Sequence, residues 1–340
     1  MENENEVKEE VKKENNLPPV TSIIIVIALI VGAFVYTIRL KNQGEIGNSH
    51  PARLSAEQQK EILQSGVELP VKWGNLGVQM TEAGVIDKDK FEAVYANRGG
   101  LNNQEKQLLE GVNNGTITIT PENSGVILNL FWALGLGNKN DILEKGEMSD
   151  PRYGGAGNFA STGGWTIAKG SPMDHFSKHQ FITLTQDQQV LVDRVSSNIY
   201  RPCCGNSTHF PDCNHGMAML GFLELYASQG ATEDQMYKAA LILNSYWFPD
   251  TYATIATYMK NKGVEWKDVN PKEMLSANYS SGQGFARIAS QVTQPTQGNG
   301  GSGCGVGGGA PVQKQQSGCG VGGEAPVAAP APKQQSGCGV

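Results

Sequence analysis

The sequence has no surplus of basic residues. Its 27 lysines and arginines are outnumbered by 33 aspartates and glutamates, which gives a formal net charge of -6 at neutral pH. Proteins that bind nucleic acid usually present a basic surface whose long-range field attracts phosphate groups. We therefore expect no nucleic-acid partner.

The sequence also lacks the motifs that mark common enzyme sites. Its glycine-rich segment, residues 153–170, has neither the spacing of a phosphate-binding loop nor that of a dinucleotide-binding fingerprint. No motif indicates an oxyanion hole or a substrate pocket. Catalysis by a cysteine nucleophile with a histidine base stays open on residue types alone. A binding or transfer protein is favoured over an enzyme.

One segment carries no charge at all. Residues 20–38 are rich in isoleucine and valine, and about nineteen helical residues nearly span a hydrocarbon core of about 30 Å. We predict a single transmembrane helix over residues 20–40, with the lipid bilayer as its partner. The preceding residues 1–19 are acidic, polar and expected to be disordered, and no small-x-small cleavage site follows the apolar run. An uncleaved signal-anchor is therefore favoured over a cleaved signal peptide.

The orientation of this helix is nearly undetermined, because basic residues flank it on both sides. A signal-anchor would place the main domain outside the cytoplasm. We therefore expect a single-pass membrane protein with an extracytoplasmic domain.

Helix start signals dominate residues 45–292. Capping-box patterns begin at Thr185 and Ser55, and Thr232 has the features of another N-cap. The only period-two pattern identified is residues 116–120, which predicts either one short strand or an extended segment leading to the next helix. The sequence therefore predicts an all-α domain over residues 45–292 with at most a minor strand.

Histidine and cysteine are concentrated in residues 171–217 of this domain. The first element begins with Ser171 and Pro172, an N-cap and first-turn pair that predicts a helix reaching His179. His175 and His179 are four residues apart and would share one helix face. Two imidazoles at this spacing can ligate one metal ion.

The second element is a Gly/Asn/Pro loop between residues 201 and 217. It carries five candidate ligands in thirteen residues: Cys203, Cys204, His209, Cys213 and His215. Asn214 is expected to cap the helix that follows, whose dipole would lower the pKa of Cys213. Sulfur and imidazole ligands suit copper, zinc or iron better than magnesium or calcium.

The loop cysteines have three expected fates. They can bind a thiophilic metal together with the histidines, or one of the adjacent pair can form a structural disulfide with Cys213. They can also act as redox nucleophiles. Cys203 and Cys204 are not expected to bond to each other, because a disulfide between neighbours is strained.

The composition changes after residue 292 to Gly, Gln, Pro, Ala and Ser. Within residues 293–340 the pattern SGCGV occurs three times and places thiols at Cys304, Cys319 and Cys338. Such a composition predicts a flexible tail that cannot form a core. Its thiols indicate metal capture, thiol exchange or covalent attachment to a surface.

Three functional hypotheses follow. The first is binding or transfer of a transition-metal ion, with a metal donor or acceptor protein as partner and the tail assisting capture. The second is a thiol–disulfide relay that uses the same cysteines and a thiol partner. The third is a surface-attachment protein whose tail forms intermolecular disulfides.

Overall fold

A computed structural model of the protein describes residues 62–292. This part of the chain is mainly helical, which confirms the predicted mainly-α class. Within it, no helix combines the length and the apolar character needed to cross a bilayer. The predicted membrane span, residues 20–40, lies outside the described residues, as do residues 1–19 and the thiol tail.

The helices follow one another with short connections. Their bounds are α1 (Leu76–Ala83), α2 (Lys88–Ala96), α3 (Asn103–Glu110), α4 (Ser124–Gly137), α5 (Asp141–Lys145), α6 (Gln186–Ser196), α7 (Asn214–Ser228), α8 (Glu233–Trp247), α9 (Pro249–Asn261), α10 (Pro271–Met274), α11 (Ala277–Ser280) and α12 (Gly282–Ala289). Single 3-10 turns lie at Glu147–Ser149, Pro151–Tyr153, Ala156–Asn158, Pro172–Asp174 and Trp266–Asp268.

Helices α4 and α7 form the centre of the core. Almost every residue of each is buried, as expected for helices that are apolar on all sides. The two helices pack together more extensively than any other pair of helices in residues 62–292. Phe131 of α4 and Phe222 of α7 meet edge to face, with ring centroids 5.4 Å apart. Because α7 begins at the cysteine loop, this packing fixes one end of that loop.

The structure corrects the prediction of a single strand. The predicted strand is β2 (Asn114–Ile119), and it pairs antiparallel with β1 (Val67–Gly74). Strand β1 also alternates, since Leu69, Val71 and Trp73 are buried and the residues between them are exposed. This alternation was missed, so the domain has a two-stranded sheet rather than an isolated strand.

The helix start signals give mixed results. The capping boxes at Thr185 and Ser171 are both present, and Thr232 caps α8 as predicted. The prediction of a helix that reaches His179 is wrong, because the turn that follows Ser171 ends at Asp174. Ser177 adopts a left-handed conformation with φ of 54°, which a continuous α-helix does not permit.

Candidate metal site

The cysteine loop, residues 197–213, joins α6 to α7 and is attached to the C-terminal helices by its backbone. The Tyr200 amide donates to the Leu275 carbonyl at 2.8 Å, and the Gly282 amide donates to the Cys204 carbonyl at 2.8 Å. The Asn244 side chain donates to the Tyr200 carbonyl at 3.2 Å. These bonds hold both ends of the Arg201–Cys204 segment in place.

Arg201 lies at the centre of the loop, with only 1% of its surface exposed. Its guanidinium donates to the carbonyls of Asn206 and Phe210 at 3.1 and 3.0 Å, and to the Asp212 carboxylate. Its Nε donates to the Cys213 sulfur at 3.0 Å. One buried cation therefore organises the loop backbone and contacts the most central thiol.

Gly216 makes room for this guanidinium. A Cβ at that position would lie 2.5 Å from the Arg201 Cζ, which is much closer than two carbon atoms pack. The first turn of α7 must therefore carry glycine where it faces the arginine. Helix α7 begins at Asn214 with Cys213 as its N-cap, so the cap is one residue earlier than the predicted Asn214.

The three loop cysteines lie close together and form no disulfide within residues 62–292. The Sγ atoms of Cys203 and Cys213 are 3.6 Å apart. The Cys204 thiol points to the Asn206 carbonyl and the Asp212 carboxylate, each 3.9 Å away. Cys203 is exposed, whereas Cys204 and Cys213 are partly buried. The site therefore opens to solvent at Cys203.

The three thiols have different pKa values because their surroundings differ. Hydrogen bonds from Cys203 and Cys204, followed by the Arg201 charge, hold the pKa of Cys213 well below its usual range despite burial. The bonds with Cys204 and Cys213 raise the pKa of Cys203 well above its usual range. For Cys204, the bond with Cys203 lowers the pKa, but the bond with Cys213 and burial outweigh it and raise the pKa to about 12. Of the three thiols, Cys213 is therefore the one whose ionised form the surroundings favour.

Two overlapping groups of side chains can hold a metal ion. One consists of Cys203, Cys213 and His215, and the other of Cys204, Asp212 and Cys213; within each group the ligand atoms lie within 4.8 Å of one another. Cys213 belongs to both groups, so any ion bound here would be expected to contact it.

Hydrogen bonding favours the group that contains His215. Both Asp212 oxygens are already occupied, one by Arg201 and the other by the Asn206 amide at 2.8 Å. In contrast, the Nδ1 atom of His215 is buried and has no hydrogen-bond partner among the described residues. An unpartnered buried nitrogen costs about 1–3 kcal/mol, so the imidazole of His215, unlike the Asp212 carboxylate, keeps an unused ring nitrogen.

The sulfur spacing also fits a metal. Two thiolates on a tetrahedral zinc ion, each bonded at about 2.3 Å, have sulfurs about 3.8 Å apart. The observed separation of Cys203 and Cys213 is 3.6 Å. The pair therefore has nearly the geometry that an ion would impose.

Aromatic side chains cover the imidazole of His215, which is 6% exposed. The rings of Phe248 and Trp247 lie 4.3 and 6.1 Å from it, centroid to centroid. These rings limit the access of water to the inner side of the site. A metal–imidazole bond formed here would be shielded from competing water ligands.

The other predicted histidines do not join this group. His209 places Nδ1 2.8 Å from the Glu147 carboxylate and Nε2 3.9 Å from that of Asp193. His175 and His179 contact each other. Neither they nor His209 belong to the two ligand groups found in residues 62–292, so the site consists of the loop and the start of α7.

Sequence reasoning missed Arg201 and Asp212. Asp212 directly precedes Cys213 in the chain, and Arg201 lies two residues before Cys203. This closeness in sequence was the available signal, but it does not show that Arg201 is buried or that it bonds to Cys213.

No protein-family model matches the sequence, and no curated protein or solved structure matches it either. A functional proposal for this chain therefore depends on the geometry of the site.

Proposed function

We propose that the protein binds a soft or borderline transition-metal ion through Cys203, Cys213 and His215, and passes it to a partner. The observation that carries the proposal is the grouping of two thiol sulfurs and one ring nitrogen of His215 within 4.8 Å of one another. The buried Nδ1 of the same ring, which has no hydrogen-bond partner among the described residues, supports it. Thiolate and imidazole together select copper, zinc or iron over magnesium and calcium.

Cys203 and Cys204 suit transfer of the ion. Cys203 is the exposed ligand, so an incoming thiol of a partner protein can replace it first. Cys204 lies in the second group around Cys213 and can hold the ion while ligands exchange. The proposed partner is a metal donor or acceptor that carries its own sulfur ligands.

The proposal also assigns roles to the two ends of the chain, and these roles depend on the sequence alone. Residues 20–38 would hold the domain at a membrane, with the domain outside the cytoplasm. The thiols at Cys304, Cys319 and Cys338 would assist capture, because a flexible tether gives an effective concentration in the millimolar range.

Metal analysis of the purified full chain tests the proposal. Under reducing conditions, a variant with the three tail cysteines replaced by serine is expected to retain about one equivalent of copper, zinc or iron, or to take it up on titration. Adding Cys213→Ser to that variant removes the ligand shared by both groups and abolishes the stoichiometric binding. If the tail variant takes up no ion, or if Cys213→Ser binds equally well, the proposal is wrong.

A thiol–disulfide relay is the second candidate, supported by the 3.6 Å contact between Cys203 and Cys213. In this reaction the Cys213 thiolate and the Cys203 thiol form one disulfide and release one proton, while glutathione disulfide accepts two electrons and becomes two glutathione thiols after protonation. The sulfurs would approach to about 2.05 Å. Equilibration of the metal-free chain in glutathione buffers distinguishes the two functions, because a relay requires a reversible couple near the potential of its compartment.

A further inference from the structure

His175 and His179 form a second cluster, separate from the cysteine site. The Nδ1 atom of His175 lies 3.0 Å from the Nε2 atom of His179. The two imidazole rings are stacked, with their centroids 5.3 Å apart. The ring of Phe181 stacks on His179, with centroids 5.2 Å apart. His175 is buried and His179 is partly exposed. Two ring nitrogens thus face each other, one on a buried ring and one on a partly exposed ring.

The tautomer of His175 follows from its second contact. Its Nε2 atom lies 2.8 Å from the Lys169 carbonyl oxygen. A carbonyl can only accept, so Nε2 carries the hydrogen. The neutral His175 ring therefore directs an unprotonated Nδ1 towards His179. A histidine that ligates a metal typically donates its other ring N–H to a carbonyl or carboxylate in this way.

The distance between the two nitrogens matches that of two ligands on one ion. With metal–nitrogen bonds of about 2.0–2.1 Å, two imidazole nitrogens are separated by about 2.9 Å at a right angle and about 3.3 Å in a tetrahedron. The observed 3.0 Å lies between these values, and it is the length of the hydrogen bond that His179 Nε2 donates to the unprotonated Nδ1 of His175 when no ion is present. An ion would take the place of the shared hydrogen. The two imidazoles need little movement to bind an ion.

The backbone holds the pair in this arrangement. The His179 amide donates to the Gly137 carbonyl at 2.9 Å, and the His179 carbonyl accepts from the Lys139 amide at 2.7 Å. Ser177 lies between the two histidines. It is the only non-glycine residue in residues 62–292 that has a positive φ. Such a conformation costs about 1–3 kcal/mol and is often retained at functional sites. Here it lets two histidines four residues apart meet outside an α-helix.

We propose that His175 Nδ1 and His179 Nε2 form a second metal site, which takes a borderline divalent ion such as zinc, copper(II) or nickel. Imidazole nitrogen suits these ions. On binding, His179 carries its ring proton on Nδ1, and Nε2 becomes the ligand. No third His, Cys, Asp or Glu ligand in residues 62–292 joins the pair, so water fills the remaining positions. The site is weaker than the cysteine site and is open to exchange.

Nuclear magnetic resonance of the full chain with 15N-labelled histidine tests this proposal, with Zn²⁺ as the probe. Zn²⁺ is added beyond the equivalents taken up by the cysteines. The ring nitrogen signals of His175 and His179 are expected to shift together in one titration step, while the His215 signal reports on the cysteine site separately. Failure of one site is therefore distinguishable from failure of the other.

Three variants complete the experiment. In His179→Gln, the midpoint for the His175 signal is expected to rise at least about tenfold. In the control His209→Gln, it stays unchanged. His179→Cys keeps a ligand at this position and restores binding, which separates loss of a ligand from loss of fold. The proposal is overturned if Zn²⁺ leaves the His175 and His179 signals unmoved, or if His179→Gln leaves the His175 midpoint unchanged.

Discussion

At the scale of single residues, the cysteine site depends on Arg201. A guanidinium with 1% exposure needs partners for its N–H groups, and it finds them in two carbonyls, one carboxylate and the Cys213 sulfur. Lysine cannot reproduce this planar set of donors. Arg201 therefore acts as a positioning residue for the thiolate that both ligand groups share.

Arg201→Lys is predicted to weaken metal binding about 10–100-fold, as is common when the hydrogen-bond donor to a ligand is removed. The same change should lower the free energy of unfolding by at least about 2 kcal/mol, because buried acceptors lose their partners. Metal competition titration and urea unfolding measure the two effects. Arg194→Lys is the control, since Arg194 forms an exposed ion pair with Glu233. Equal effects of the two substitutions would contradict the role of Arg201.

Glu224 is a second residue with a measurable signature. It is fully buried in α7 and accepts from the Asn138 amide at 2.6 Å. Burial raises its pKa well above the ordinary 4.5, although the Asn138 bond opposes this. Ionisation of Glu224 is therefore easier in the unfolded chain. The contribution of Glu224 to the free energy of unfolding is therefore largest below pH 4.5, and it decreases as pH rises above that value.

Glu224→Gln removes this ionisation and keeps the shape of the side chain. The variant should gain stability relative to the wild type as pH rises from 5 to 8, by up to about 1.4 kcal/mol per pH unit. Urea unfolding across this pH range measures the difference. A difference between the two proteins that does not change with pH would show that Glu224 has an ordinary pKa.

At the scale of elements, the crossing of α4 and α7 sets the position of the site. A Cβ on Gly221 would lie 2.5 Å from both the Gly135 nitrogen and the Phe131 carbonyl oxygen, and one on Gly135 would lie 2.1 Å from the Met217 carbonyl. Backbone meets backbone at this point, so neither helix tolerates a side chain there. This contact fixes the position of the start of α7, where Cys213 and His215 lie.

Gly221→Ala is predicted to lower the free energy of unfolding by about 1–3 kcal/mol, because the added methyl group forces the two backbones apart. Gly125→Ala in α4 is the matched control, since a Cβ there meets nothing within 4 Å. Alanine at that position should be neutral or stabilising by up to about 1 kcal/mol. Thermal unfolding compares the two variants. Similar melting temperatures for them would contradict the close contact at Gly221.

Local signals explain which elements the sequence predicts. Capping boxes such as those at Thr185 and Ser171 involve residues three apart, so they are visible in the sequence and confirmed in the structure. The end of the turn at Asp174 depends on tertiary contacts of the segment from Ser177 to His179 with α4. The pairing of β1 with β2 joins residues 40 to 52 positions apart in the chain, from Gly74 with Asn114 to Val67 with Ile119. Contacts of this kind have no local signature.

The candidate site shows the same contrast between local sequence signals and long-range contacts. The cluster of Cys203, Cys213 and His215 was predicted because these residue types lie close together in the chain and suit one chemistry. The separation of His209 from it depends on the positions of Glu147 and Asp193, which lie on other elements. The covering of His215 by Trp247 and Phe248 likewise depends on how α8 packs against α7.

At the scale of the whole molecule, the described domain lies between two segments with different predicted properties. Residues 20–38 are predicted to anchor the chain in a bilayer, and residues 293–340 carry three thiols on a flexible tail. Under the proposed function, the exposed Cys203 is the ligand at which such a tail would deliver or remove an ion. The proposed function requires that two sulfurs and one imidazole of the domain hold the ion.

X-ray absorption spectroscopy of the chain loaded with one equivalent of Zn²⁺ tests this claim most directly, with the three tail cysteines replaced by serine. We expect two sulfurs at about 2.3 Å and one imidazole nitrogen at about 2.0 Å, and loss of the imidazole alone in His215→Gln. A coordination shell without sulfur, or an imidazole contribution that persists in His215→Gln, would contradict the account.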